Sequence, residues 1–123
     1  MDNLDSISAA WCHTLLSEHI AMYDEMLLSG DPEKVVPEYA GATAIYQSLD
    51  REGQVALLQL LKVVSVDTAS QLLGNLDGSS YISGIEADFS VKYDGVDVTG
   101  YLQDSFLGTV EDEGYFPKRR LEL

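Results

Sequence analysis

The chain has 123 residues, with 21 acids against 7 bases and a formal net charge of -14. That length suits one domain with a single core. A hydrophobic content of 46%, with the acids dispersed among apolar positions, excludes a disordered acidic tail. Lys118, Arg119 and Arg120 sit together near the end, so residues 1–116 hold 20 acids against four bases, Lys34, Arg51, Lys62 and Lys92. We read 1–116 as the globular domain and 117–123 as a basic C-terminal tail that salts onto the acidic body. Three cations on such a body make a poor footprint for direct nucleic-acid binding. The charge excess costs stability by self-repulsion and steers cationic partners.

Residues 4–29 read as one helix, with Leu4, Ile7, Trp11, Leu15, Met22 and Met26 forming its apolar stripe. Its opening, MDNLDSISAAWC, lacks the basic stretch of a signal peptide. Gly30 is a helix stop. Asp31-Pro32 starts a short turn to Val36, and a second helix runs from Pro37 to Leu49. Tyr39, Ala42, Ile45, Tyr46 and Leu49 are its expected buried positions. Asp50 caps a long helix over about 51–76, apolar on more than one face and hence expected to be central and surrounded. Its run from Val55 to Leu73 is broken by Gln59, Lys62, Ser65, Asp67 and Thr68, a pattern costly in lipid. The pattern then changes. Phe89, Val91 and Tyr93 alternate with polar residues, and Asp94-Gly95 predicts a hairpin turn into Val96-Asp97-Val98. Thr99 is the expected cap of a last helix over about 100–113, with Leu102, Phe106 and Val110 inward. The fold class is α+β, mainly α, with one β-hairpin.

The lone Cys12 cannot form an internal disulfide, which points to a reducing compartment. Together with the acidic N-terminal stretch and the membrane argument, this makes the cytoplasm the expected location, with no membrane association. On an apolar helix without neighbouring cations, Cys12 reads as a small core residue. His13 and His19 are six apart and point in different directions, so they do not form a chelating pair. Asp67 interrupts the long apolar helix and could pair with Asp77 or Asp104 in a cleft suited to acid/base chemistry. A structural partner is the preferred reading, and no catalytic motif is present. The chain is therefore read as a non-enzyme without catalytic residues.

Residues 75–86, NLDGSSYISGIE, resemble the calcium loop of EF-hand proteins. Asn75, Asp77 and Ser79 take positions 1, 3 and 5, the Tyr81 carbonyl 7, Ser83 9 and Glu86 12, with apolar Ile82 at 8. The resemblance departs at Asn75, at Ser80 where glycine is usual, and in the strand-like segment that follows. A turn built from Asn, Asp, Gly and Ser is preferred, so calcium is the alternative and no cofactor the expectation.

The hairpin and last helix carry the remaining candidate surface. Its acids are Asp88, Asp94, Asp97, Asp104, Glu111 and Asp112, with Glu113 beside them; Tyr93 and Tyr101 interleave. Acids for steering and aromatics as anchors suit binding of a basic protein. In small size, acidity and absence of catalytic motifs the chain resembles bacterial immunity proteins, which neutralise a toxin, often a basic nuclease. The resemblance is one of type and carries onto no individual residue. It implies a non-catalytic inhibitor. The alternative is a phage-type DNA mimic that occupies a host DNA-binding protein. Oligomeric state is left open, with Tyr81-Ile82 and Phe116 as candidates for self-association.

Overall fold

The computed structural model describes residues 2–116. It is mainly helical, with one small antiparallel hairpin, as the sequence predicts. Helix α1 spans Asp2–His13 and α2 spans His19–Ser29, joined without a break by one π-helical turn, Thr14–Glu18. The chain leaves α2 at Gly30 in an extended conformation. Helix α3, Pro37–Ser48, begins with proline where its missing N–H is harmless. Helix α4, Arg51–Asp77, starts under the Asp50 carboxylate, which accepts from Gly53 N at 2.8 Å. It ends at Gly78, in the left-handed region at φ 81°.

Strands β1, Lys92–Tyr93, and β2, Val96–Asp97, pair Lys92 with Asp97 and Tyr93 with Val96. Asp94 and Gly95 turn between them at φ 50° and 78°, both positive as a type I′ turn requires. Phe89 and Val91 stay outside this ladder, although Val98 N donates to Val91 O at 2.9 Å. Helix α5 covers Leu102–Asp112.

Helix α5 packs against both α1 and α4, while α3 lies on α2. Its inward residues are Leu102, Phe106 and Val110, as predicted, and all three are buried. Phe106 and Val110 join Cys12, Leu16 and Val66 in the main core cluster. Leu102 joins Leu4 and Val98 in a smaller one under the hairpin. Gly74 lets α5 and the following loop come close to α4: a Cβ there would run into the Ser80 hydroxyl and the Gln103 amide. That amide donates to Ser70 O at 3.0 Å, and its oxygen accepts from the Ser79 hydroxyl at 3.0 Å.

Four expectations about packing are corrected. The buried stripe of α1 and α2 is Leu4, Ser8, Cys12, Leu16, Ile20 and Leu27, one position round from the predicted one. Ile7, Trp11, Leu15 and Met26 are half-buried at its edge, and Met22 is exposed. In α3, Tyr46 is buried as expected and Tyr39 and Leu49 partly so. Ala42 and Ile45, however, face outward, and Thr43 takes the inner place. The long helix α4 is not surrounded. It buries only Gln54, Val66 and Gly74 and leaves Leu60, Val63, Val64 and Leu72 exposed, because only α5, α2 and the π-helical turn pack against it to any extent. Finally, Thr99 does not cap α5. Its hydroxyl accepts from Val91 N at 2.7 Å and closes the hairpin, while the cap comes from Asp77 at the far end of α4.

Candidate functional site

The Asp77 cap decides how the acidic surface is presented. Its Oδ1 accepts from Gly100 N at 2.8 Å and Leu102 N at 3.1 Å, and its Oδ2 from Gln103 N at 2.7 Å. These amides open α5, where a carboxylate satisfies unpaired donors and the helix dipole together. One side chain thus fixes the start of α5 to the end of α4. The cap also changes the reading of residues 75–86. Asn75 and Asp77 lie in the last turn of α4, Asn75 Nδ2 donates to Ser80 O at 3.2 Å, and the Ser79 hydroxyl points to Gly74 O and Gln103. The segment is a helix end and turn in which Asp77 is directed to the amides before and in α5, while Asn75, Ser79, Tyr81 and Glu86 line one depression. Among the described residues, no group of three or more His, Cys, Asp or Glu side chains gathers where it could hold one ion.

The catalytic cleft around Asp67 is not formed either. Asp67 is exposed on α4 and Asp77 is committed to the α5 amides. His13 and His19 stand apart. The π-helical turn brings His13 Nε2 within 3.2 Å of Glu18, five residues on, and the His19 ring lies 4.9 Å from that of Tyr23, tilted by 42°. Cys12 is fully buried, and burial, with Glu113 a lesser cause, pushes its thiol above the usual range.

The acids of the hairpin and α5 remain. Asp88, Asp94, Asp97, Asp104, Glu111, Asp112 and Glu113 are all exposed, as are Tyr93 and Tyr101. They form separate groups. On the hairpin, Asp97 Oδ1 accepts from Thr99 N at 2.9 Å. That backbone bond, the Thr99 hydroxyl and Lys92 across the ladder hold its carboxyl below the usual range, so it is ionised at neutral pH. On α5, Asp104, Asp112 and Glu113 line a groove of about 320 Å³ shared with α1. Sequence reading missed the fourth acid of this groove, Asp5. Nothing marks it without knowing that α1 and α5 are neighbours. Across the groove floor the Ser105 hydroxyl donates to Asp5 Oδ1 at 3.0 Å. The buried Ser8 hydroxyl lies 2.8 Å from Ser105 and, with the Ser105 hydrogen directed to Asp5, donates to it. Asp88 belongs to a third group, in a depression with Glu86, Asn75 and Tyr81.

Few cations are left to neutralise these groups. Arg51 grips Asp24 with both nitrogens, at 2.8 and 2.9 Å. Lys62 Nζ donates to Tyr115 O at 3.3 Å, and Lys92 faces Asp97. Among the described residues this leaves Lys34. The tail with Lys118, Arg119 and Arg120, and its expected contact with the acidic body, lie outside the described residues. No family model, curated protein or solved structure matches the chain, so its function must be argued from these side chains.

Proposed function

We propose that this chain is a non-catalytic cytoplasmic binding protein that neutralises a basic protein, in the manner of an immunity protein acting on a toxin such as a nuclease. One observation carries this reading. The acids of the hairpin and α5 are all solvent-exposed, while two of the four cations in residues 1–116, Arg51 and Lys62, are engaged elsewhere. An acidic surface with few cations of its own gives up few ion pairs when a cationic surface replaces its water, and it raises the rate of encounter. Tyr93 and Tyr101, 53% and 60% exposed, provide amphipathic anchors beside the acids. The groove acids Asp5, Asp104 and Asp112 sit on packed helices, so their spacing is kept on binding.

The test is capture of basic proteins from a nuclease-treated lysate of the source cell at low and moderate salt, using the wild type and the charge reversals Asp97→Lys and Asp104→Lys. The expected result is one basic protein retained by the wild type at moderate salt. Each reversal should slow its association about tenfold or more at low salt, because rim charges act chiefly on the on-rate. Unchanged binding by both variants would place the partner on another surface. Displacement of the captured protein by duplex DNA would turn the reading to the DNA mimic.

A further inference from the structure

An apolar groove between α1 and α4 has no role in that reading. Helix α5 packs closely on both of these helices, while their own backbones rarely come close to each other. The gap, of about 330 Å³, is lined by apolar residues alone. Trp11 and Leu15 of α1 face Ala69, Leu72 and Leu76 of α4, with the fully buried Phe106 at the floor. Leu72 is 58% exposed on its rim. A segment that covers such a gap takes apolar surface out of water on both sides of the contact.

The described chain stops beside this groove. Tyr115 and Phe116 pack on the same core cluster as Trp11, Leu15, Ala69 and Leu73. Lys62 Nζ donates to Tyr115 O at 3.3 Å, which holds the chain within a lysine's reach of α4. Lys62, Ala69 and Leu76 are seven apart and follow one line along the helix, and the last two line the groove. From Lys62 to Leu76 that line measures about 21 Å. Residues 117–123 outside the described part span at most about 23–25 Å when extended. In that form Leu121 and Leu123 fall on one side, with Arg120 and Glu122 on the other. Five and seven residues beyond Phe116, the two leucines reach about the levels of Leu73 and Leu76. The charges agree. Lys118, Arg119 and Arg120 follow directly after the exposed acids Glu111, Asp112 and Glu113 at the negative end of α5, which has no basic residue in its last turn. We infer that residues 117–123 dock in this groove within the same chain. Leu121 and Leu123 enter it between α1 and α4, and the three cations lie over the acids at the end of α5. The docking uses a groove that the partner-binding reading does not, so the two proposals fail separately.

Trp11 is the chain's one tryptophan and lines the groove, so its fluorescence reads the docking directly. In the full chain, Leu121→Ser combined with Leu123→Ser should shift Trp11 emission to the red and raise its quenching by acrylamide. The circular dichroism should be unchanged, because both substitutions lie outside the packed core. Glu122→Ser, on the other side of the extended segment, should leave emission and quenching as in the wild type. A double leucine variant that behaves as the wild type overturns the inference, and so does a Glu122→Ser variant that exposes Trp11 as fully. Wild-type quenching that rises on dilution would give the groove to residues 117–123 of a second copy and overturn docking within one chain. A second readout is covalent. Leu72→Cys combined with Leu121→Cys, oxidised by diamide, should cross-link inside one molecule of 13.5 kDa, the buried Cys12 staying inert. Cross-linking only between molecules, at twice that mass, overturns the inference.

Discussion

The two ends of α4 are held by different physics. Its C-terminal half is joined to α1 and α5 by apolar contact, with Val66 against Cys12, Leu16 and Phe106. Its N-terminal half is joined to α2 and α3 by a polar network. Asp24 accepts the fork of Arg51 and, at 2.5 Å, the hydroxyl of fully buried Tyr46. Gln54 Nε2 donates to Tyr46 O at 2.9 Å, and Gln47 Nε2 donates to Leu27 O and Gly30 O at the end of α2. The apolar joint gains from each methylene removed from water, whatever its exact position. The polar joint depends on geometry, and the loss of one partner strands the others.

Removing the centre of the apolar joint should have the largest effect. Phe106→Ala leaves a cavity between α1 and α4 and should cost about 3–5 kcal/mol, which is read as loss of the cooperative urea transition or a large shift of its midpoint. Next comes Asp77→Ala. It leaves the amides of Gly100, Leu102 and Gln103 at the start of α5 without their acceptor and should cost about 2 kcal/mol, with Asp77→Asn recovering part of it. A loss as small as that of an exposed acid such as Asp67→Ala would show that the cap is dispensable.

The polar joint gives the smallest effect and a distinct signature in pH. Burial, then the Asp24 bond, push the Tyr46 hydroxyl up to about 12, whereas an unfolded tyrosine titrates near 10. A group raised in the folded state contributes stability that is complete below pH 10 and is lost as pH rises through 12. Asp24 has the opposite sense. The Arg51 and Tyr46 bonds hold it below the ordinary range, so its contribution is present above about pH 4 and is lost in acid. Urea midpoints measured from pH 3 to 11.5 should therefore fall at both ends for the wild type. Tyr46→Phe should flatten the alkaline limb, and an unaltered limb would assign the loss to other tyrosines.

This contrast also explains what could be read from the sequence. Apolar spacing located every helix, the inward face of α5 and, with Asp94-Gly95, the hairpin. It failed where apolar residues outnumber the neighbours available to cover them. The composition of α4 suggested a surrounded helix, but the elements packed against it, chiefly α5, α2 and the π-helical turn, are too few to encircle its 27 residues. The α1 and α2 stripe was displaced because Ser8 and Cys12 occupy inner positions that a hydrophobicity pattern assigns to Ile7 and Trp11. Polar joints left no signal at all. Asp24 and Arg51 are 27 residues apart, and Asp77 meets its amides 23 to 26 residues later. Of the candidate surface, the exposure of the acids was legible. The meeting of Asp5 with Asp104 and Asp112 was not, because it depends on which helix lies beside α5.

The Asp77 bridge also bears on the order in which the chain assembles. Helix α5 has 11 residues, too few to persist in water without support. Its first turn is completed by a residue that reaches position only once the last turn of α4 is wound. The wound end of α4 thus completes the start of α5, and the hairpin between them closes the intervening loop. In the folded protein the same dependence runs backwards in time. Fraying of the end of α4 removes the acceptor of the first turn of α5, so the amides of Gly100, Leu102 and Gln103 should exchange together with those of the last turn of α4, although they lie far apart along the chain.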